Sequence, residues 1–535
     1  MASLDRPWRR GGAARYARGR LRGILRPRVE VVPVPADVRK DEDAEIAVRD
    51  GTLLRANVYR PADGTPVPAI VCAHPYGKDD LPHRSGRGRA RLNPQYRIMR
   101  QPGPVRISAE TGWEAPDPAF WVPHGFAVVN LDLRGAGRSD GVGSLLSEQE
   151  GDDIHDVIEW VAAQPWCDGN VGMLGVSYLA ISQYRAAVAA PPHLRAIVPW
   201  EGFTDPYHDF FYPGGVPEIG FSRLWTTLVR RATRMEPDLG VEVRRHPDDG
   251  PFWRALHPEL GGIRVPMLVC GSFSDNNLHS RGSMRAFRGV ASADRHLYTH
   301  RGGKWAVFYG DEAKAAQLAF LERHLKGAQR EIPRVRLEVR ERGDLIAEVR
   351  EEPDWPLPQA EERVLWLAPD GLLSAQSPQT PGGLELNPRR RAATFRWVFD
   401  EDTEITGDAM LRLWMRARPG GDAHVFAGIS KWADGRFVPF EGSYGFGRDL
   451  VTTGWRRAAL NPAGPTQVGV EFGPSATLFR AGEELRLHIS GRQLSPRNPL
   501  SGAAPGLYRT TPRARWLLEW DPQRKAGLLL PVVPR

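Results

Sequence analysis

A chain of 535 residues with 41% apolar and 25% charged side chains carries ample material for a core, which excludes disorder on a large scale. Its formal charge of +8 is concentrated at the start: residues 1–30 hold nine arginines against Asp5 and Glu30, and the rest is nearly neutral. A basic end on a neutral body excludes an extended nucleic-acid-reading surface, so no nucleic-acid partner is expected.

Residues 1–35 read as a basic N-terminal extension. Gly11, Gly12, Ala13 and Ala14 follow the Arg9-Arg10 pair, without the apolar stretch of a secretory signal. A frayed, solvated end is the favoured reading. A short basic helix over residues 13–25, in weak contact with an anionic membrane surface, is the alternative. No run approaches 18 apolar residues, so no transmembrane helix is expected. The three cysteines, Cys72, Cys167 and Cys270, form no disulfide framework. Cys72 and Cys270 sit inside apolar runs as small buried hydrophobes. The pattern fits a reducing compartment, and the cytoplasm is the expected location.

From residue 36 to about 330 short apolar runs alternate with helical patterns. Continuous runs such as Ala69–Ala73, Ala127–Leu131, Val171–Leu174, Ala196–Val198, Pro266–Cys270 and His296–Thr299 suit parallel strands buried on both faces. Between them, 153–163 and 314–325 repeat apolar residues at helical spacing. This grammar predicts a doubly wound α/β sheet. Residues 79–120 read as a long polar loop. A helical cap is expected at about 206–260, where Leu224, Leu228 and Met235 recur at helical spacing over the C-terminal edge of the sheet. From 331 to 535 period-two runs such as Val335-Leu337-Val339, Leu411-Leu413-Met415 and Leu485-Leu487-Ile489 predict a C-terminal antiparallel β-sandwich, jelly-roll-like in character.

The sharpest chemical signal is Gly175-Val176-Ser177-Tyr178-Leu179-Ala180, between a strand and a helix. A serine on such a turn projects its hydroxyl into a site, and the helix N-terminus faces developing negative charge. Gly175 is expected because a side chain there would strike the neighbouring strand. Ala180 stands where the usual pattern has glycine. A serine hydroxyl needs a base and an orienting carboxylate, in the order Ser, acid, His. Asp275, just past the Pro266–Cys270 run, is the expected acid, with Asp205 as fallback. His300, at the end of the His296–Thr299 run, is the expected base. His296 lies at the wrong strand end, and His279, near Asp275, reads as a pocket residue. The Tyr178 amide is the expected oxyanion donor, with Tyr76 as the second through its phenol. Trp200, Phe203 and Trp225 are candidates for an apolar acyl pocket.

Several ordered segments then resemble one family. They are Arg49-Asp50-Gly51 with Val58-Tyr59-Arg60-Pro61, then Pro75-Tyr76, then 132–139 (DLRGAGRS), then 166–173 (WCDGNVGM) running into Ser177. Together they resemble the cocaine esterase and X-Pro dipeptidyl-peptidase group (CocE/NonD type) of α/β-hydrolases, from about residue 40 to the end. The resemblance implies the triad Ser177, Asp275 and His300, a Tyr76 oxyanion donor, a C-terminal β domain, and acyl-enzyme chemistry without metal or organic cofactor. One departure stands out. Many members place the histidine in a Gly-Pro-Trp-x-His context, whereas here it is Leu297-Tyr298-Thr299-His300, followed by Lys304-Trp305 and later Leu325-Lys326-Gly327. The expected partner is therefore a small-molecule ester or amide. An X-Pro dipeptidyl-peptidase, with Glu201 or Glu218 pairing a substrate amine, and an acyltransferase using the same acyl-enzyme are the alternatives.

Overall fold

The computed structural model describes residues 3–5, 18, 21–23, 25–84, 90–93, 96, 104–343, 345–440, 442, 449–494 and 507–535. Its first half is built on nine strands: β1 (Val38–Ala47), β2 (Leu53–Pro61), β3 (Val67–His74), β4 (Ala127–Asp132), β5 (Cys167–Val176), β6 (Leu194–Trp200), β7 (Met267–Ser272), β8 (Arg295–His300) and β9 (Val335–Arg342). Hydrogen bonding orders them 1-2-4-3-5-6-7-8-9, parallel from β4 onward, with β2 antiparallel to β1 and β4. The unbroken apolar runs explain the centre of this sheet. Every residue of β3, β4 and β7 is buried, as strands covered on both faces require.

The covering helices include α1 (Glu148–Ala162) and α2 (Tyr178–Val188), which follow β4 and β5. On α1, Ile154, Val157, Ile158 and Val161 form the buried stripe that the periodicity implied. Between β6 and β7 lie a π-helical turn (Pro206–Phe211), α3 (Phe221–Ala232) and α4 (Leu239–Arg245). Later come α5 (Ser280–Gly289), α6 (Lys304–Phe308) and α7 (Asp311–Lys326). Part of the 79–120 segment is ordered rather than loop: Val105–Ser108 pairs in parallel with Val29–Val32, and Pro118–Trp121 is a helical turn. That pairing also ties the end of the N-terminal extension to the body. Near its start, Ser3–Asp5 pairs antiparallel with Ala392–Thr394, while residues 6–17 lie outside the described residues.

The strand at 335–342 belongs to the first sheet. It lies parallel to β8 and continues into an antiparallel hairpin with β10 (Leu345–Glu352). Alternation alone does not say which sheet a strand joins. The antiparallel sheet follows, with β11 (Ala392–Val398), β12 (Met410–Arg418), β13 (Gly421–Ala433), β14 (Thr452–Leu460) and β15 (Glu484–Ser490). β15 pairs with β11 and β13, and β13 with β14, all antiparallel. On β12 Leu411, Leu413, Met415 and Ala417 are buried, and the intervening residues are half-buried or exposed. That is the period-two pattern of a strand covered on one face.

Candidate active site

Ser177 is the residue between β5 and α2, and its backbone is in a strained left-handed conformation with φ 61° and ψ −115°. Its own N–H donates to the Trp200 carbonyl (3.1 Å), and its carbonyl accepts from the amides of Ala180 and Ile181. The hydroxyl is thereby turned into a cavity. A Cβ on Gly175 would lie 2.4 Å from the Leu179 Cβ. The glycine is thus required by α2 folding back over it, and not by a neighbouring strand.

The hydroxyl meets a different histidine from the one expected. Ser177 Oγ is 3.1 Å from His279 Nε2. The loop after β7 explains why. The Asp275 carbonyl accepts from the amides of Leu278, His279 and Ser280, each at 3.2 Å, and this tight turn delivers His279 at the start of α5. The imidazole is fully buried and stacked on Phe203 with ring centres 5.8 Å apart and planes 14° apart. Burial, then the positive charge of Lys304, pushes its pKa well below the usual histidine value, so the ring is neutral at physiological pH. Its Nδ1 has no hydrogen-bond partner among the described residues.

His300 does not reach Ser177. Its Nε2 is 3.1 Å from Glu201 Oε1, and its Nδ1 accepts from the Gly302 amide at 3.1 Å. Those contacts put the ring proton on Nε2, toward Glu201, so neither nitrogen is available to a serine. The strand after β7 does end in a histidine, but that ring turns into the protein. Asp275 makes an ion pair rather than a hydrogen bond to an imidazole among the described residues: its Oδ2 lies 3.0 Å from Lys304 Nζ, which is 3.9 Å from Glu201 Oε2. All of these groups are buried. The fallback acid Asp205 binds His208 (2.7 Å) and His257 (3.0 Å). His296 pairs with Asp294.

The two expected oxyanion donors, Tyr76 and Tyr178, line the same cavity as Ser177. The Tyr178 amide, first in α2, donates to no carbonyl among the described residues, as an N-terminal helical N–H is left to do. The Tyr76 oxygen accepts from Trp225 Nε1 (3.1 Å), which leaves its O–H to donate. Burial holds that phenol well above its ordinary pKa, so the proton stays on. The Tyr178 side chain is structural and bonds Glu150 at 2.5 Å.

The cavity has a volume of about 330 Å³. Aromatic rings dominate it, among them Trp113, Phe203, Phe210, Trp225 and Trp305. Phe203 and Trp225 are thus in the pocket. Trp200 is not: it is fully buried against Tyr298, His300 and Phe308, and serves Ser177 through its backbone carbonyl.

One residue of the site carried no sequence signal, and two others take places that the sequence did not announce. Glu114 lines the cavity from within the segment read as polar loop. It has a left-handed φ of 62°, and its carbonyl accepts from Val176 N (3.2 Å) beside the nucleophile. Its Oε1 accepts from Trp305 Nε1 (3.3 Å), and burial pushes the carboxyl up to about 8. Glu201, also at positive φ, and Lys304 complete the buried charged layer beneath. Glu201, Cys270 and His300 bring three potential metal-ligand atoms within 4.8 Å of one another. In this arrangement Glu201 and His300 satisfy each other, and burial keeps the Cys270 thiol protonated.

The raised Glu114 pKa makes a stability prediction. Between about 4.5 and about 8 the unfolded chain ionises this carboxyl while the folded chain keeps it neutral, so folding stability falls as pH rises through that window. Glu114→Gln should remove the dependence. Denaturant midpoints should shift in the variant's favour between pH 5 and 8, and a constant offset would refute the assignment.

The chain is similar to several known proteins. Residues 50–240 match the X-Pro dipeptidyl-peptidase (S15 family) model, and residues 327–505 match the X-Pro dipeptidyl-peptidase C-terminal non-catalytic domain. Cocaine esterase of Rhodococcus sp. (strain MB1 Bresler) is 30% identical over 403 residues, 63% of each chain. Xaa-Pro dipeptidyl-peptidase of Lactobacillus helveticus is 23% identical over 411 residues, 64% of this chain and 51% of that one. The chain thus spans less than two thirds of the length of these curated relatives. A crystal structure of a CocE/NonD family hydrolase from Staphylococcus aureus superposes with a TM-score of 0.86 at 30% identity, covering 96% of this chain and all of the other. An α-amino acid ester hydrolase, at 16% identity and a TM-score of 0.70, shares the fold.

Proposed function

Because this chain belongs to the cocaine esterase and X-Pro dipeptidyl-peptidase family of α/β-hydrolases, we propose that it cleaves carboxylic esters or amides through an acyl-enzyme on Ser177. The observation that carries this reading is the 3.1 Å contact between Ser177 Oγ and the buried, neutral His279 inside an aromatic cavity. His279 Nε2 takes the serine proton as Oγ attacks the carbonyl, then returns it to the leaving group. The Tyr178 amide and the Tyr76 hydroxyl stabilise the oxyanion, each worth about 100- to 1,000-fold in rate. The aromatic walls favour an apolar or aromatic acyl group. His300 and Asp275 support the floor of the site.

A dipeptidyl-peptidase needs an anion in the pocket for the substrate's terminal ammonium. Glu201 binds His300, and Glu218 accepts from the amides of Gly220, Phe221 and Ser222 at the start of α3, so neither is offered. Glu114 lines the cavity but is held neutral at pH 7. The ester reading is therefore preferred. An acyltransferase would differ only in what resolves the acyl-enzyme.

The test is labelling with a fluorophosphonate probe, read by intact mass and peptide mapping. One adduct on Ser177, absent in Ser177→Ala, is expected. No adduct, or one elsewhere, would overturn the reading. Because a base must be unprotonated, labelling should fall at acid pH, with a midpoint well below 6.5 given the depressed His279 pKa. Labelling that does not fall at acid pH would count against a histidine base.

We place the enzyme in the cytoplasm, on the strength of three free, buried cysteines. No helix of the described residues is long and apolar enough to cross a membrane. We divide the chain into the 1–35 extension, a catalytic domain from 36 through the 335–352 hairpin that extends its sheet, with its cap at about 206–260, and a β-sandwich from there to 535. For the extension a solvated end is the reading we favour, with weak contact to an anionic membrane surface as the alternative.

A further inference from the structure

A second cavity, of about 670 Å³, lies on the other side of the cap. Helix α3 separates it from the active site. Leu224, Trp225 and Leu228 face the active-site cavity, whereas Arg223, Thr226 and Arg230 line the second one. Its opposite wall is the β-sandwich, through His424 on β13, Arg457 on β14, and Arg509.

The charge of this cavity is lopsided. Five guanidinium groups line it, from Arg223, Arg230, Arg244, Arg457 and Arg509, against the carboxylates of Glu218 and Asp422. Both carboxylates are already committed. Glu218 is consumed by backbone amides at the start of α3, and Asp422 binds Arg457 (2.9 Å) and His424 (3.4 Å). Arg230 is neutralised by Asp238 at 2.7 Å, and Arg457 also reaches Asp248 at 3.2 Å. Arg223, Arg244 and Arg509 have no carboxylate partner among the described residues.

Three cations without a carboxylate partner among the described residues thus line one concavity from the cap and the sandwich, and of these Arg244 also donates to the Gly240 carbonyl (2.6 Å). A cleft with low-dielectric walls and one sign of charge concentrates counter-ions, and guanidinium forks match phosphate and carboxylate oxygens in pairs. The Ser222 hydroxyl donates to the Glu218 carbonyl and the Thr226 hydroxyl to the Ser222 carbonyl, so the recognition falls to the arginines. The volume is that of a small-molecule site.

We propose that this cavity binds a small polyvalent oxyanion, a phosphate ester or a polycarboxylate, clamped between α3 and the sandwich by Arg223, Arg244 and Arg509. Such a ligand would bear on the helix that also carries Trp225 into the active site.

The test is isothermal titration of the full chain with inorganic pyrophosphate and, separately, with citrate. Saturable binding of either at or below roughly millimolar concentration is expected, weakening as salt rises. Preference for pyrophosphate or for citrate identifies the phosphate or the carboxylate source. In Arg223→Gln/Arg509→Gln the affinity should fall at least about tenfold, and each single variant should fall less. Both side chains are exposed, and unfolding midpoints confirm that the variants fold. Failure of both anions to bind, or unchanged affinity in a folded double variant, would overturn the proposal.

Discussion

His279→Ala should lower turnover of an activated aryl ester by about 10,000-fold or more, close to the loss in Ser177→Ala, because nucleophile and base act as a unit. His300→Gln should change it less than about tenfold, since glutamine keeps an N–H for Glu201 and the 3.1 Å Ser177–His279 contact is untouched. Steady-state kinetics on folded variants distinguish the two histidines. A dead His300→Gln beside an active His279→Ala would mean that the working base is His300 and that the site rearranges around substrate. The arrangement also bears on absolute rate. In a triad the carboxylate fixes the imidazole tautomer, and its loss typically costs about 10,000-fold. Here Nδ1 of His279 has no hydrogen-bond partner among the described residues, and ring orientation rests on Phe203 stacking and on the turn closed by the Asp275 carbonyl. Slow turnover, with reactive esters favoured over amides, is the expected kinetic signature.

What the sequence made legible follows from which signals are local. The sheet strands are continuous apolar runs, and the nucleophile turn is six consecutive residues, so both could be read directly. The expected acid and base rested on the rule that consecutive strand ends deliver acid and histidine in order. Asp275 and His300 do sit at those strand ends. Their side chains turn instead to Lys304 and Glu201, two charges far away in sequence whose burial nothing local announces. His279 was visible only as a histidine four residues past Asp275. The signal that would have raised it is that spacing, which lets one tight turn close on the Asp275 carbonyl and carry the ring to the serine. Glu114 was hidden for another reason. Its place depends on a strained φ and on a backbone bond to β5, inside a segment with no hydrophobic period.

Lys304→Met should be among the most destabilising single changes in the catalytic half. The ammonium is almost wholly buried, 3.0 Å from Asp275 and 3.9 Å from Glu201. Methionine keeps most of the volume and removes the charge, so the main effect is a buried carboxylate left without its counter-ion, typically about 3–5 kcal/mol. Two further results separate this cause from simple misfit. Adding Asp275→Asn should restore much of the loss, because the orphaned charge is then gone, whereas a packing defect would not be relieved. The deficit should also depend on pH with a definite sign. A buried carboxyl without a partner prefers its neutral form, so its folded pKa rises above the unfolded value, and stability present at acid pH is lost as pH rises. The gap between parent and variant in denaturant midpoint should therefore be small near pH 4 and widen toward pH 8. A gap that stays constant, together with no rescue by Asp275→Asn, would show that the stem of Lys304 matters for its shape and not for its charge. The same double variant leaves Ser177, His279 and Tyr76 in place. Retained labelling of Ser177 would then show that the buried charges hold the floor of the site without taking part in proton transfer.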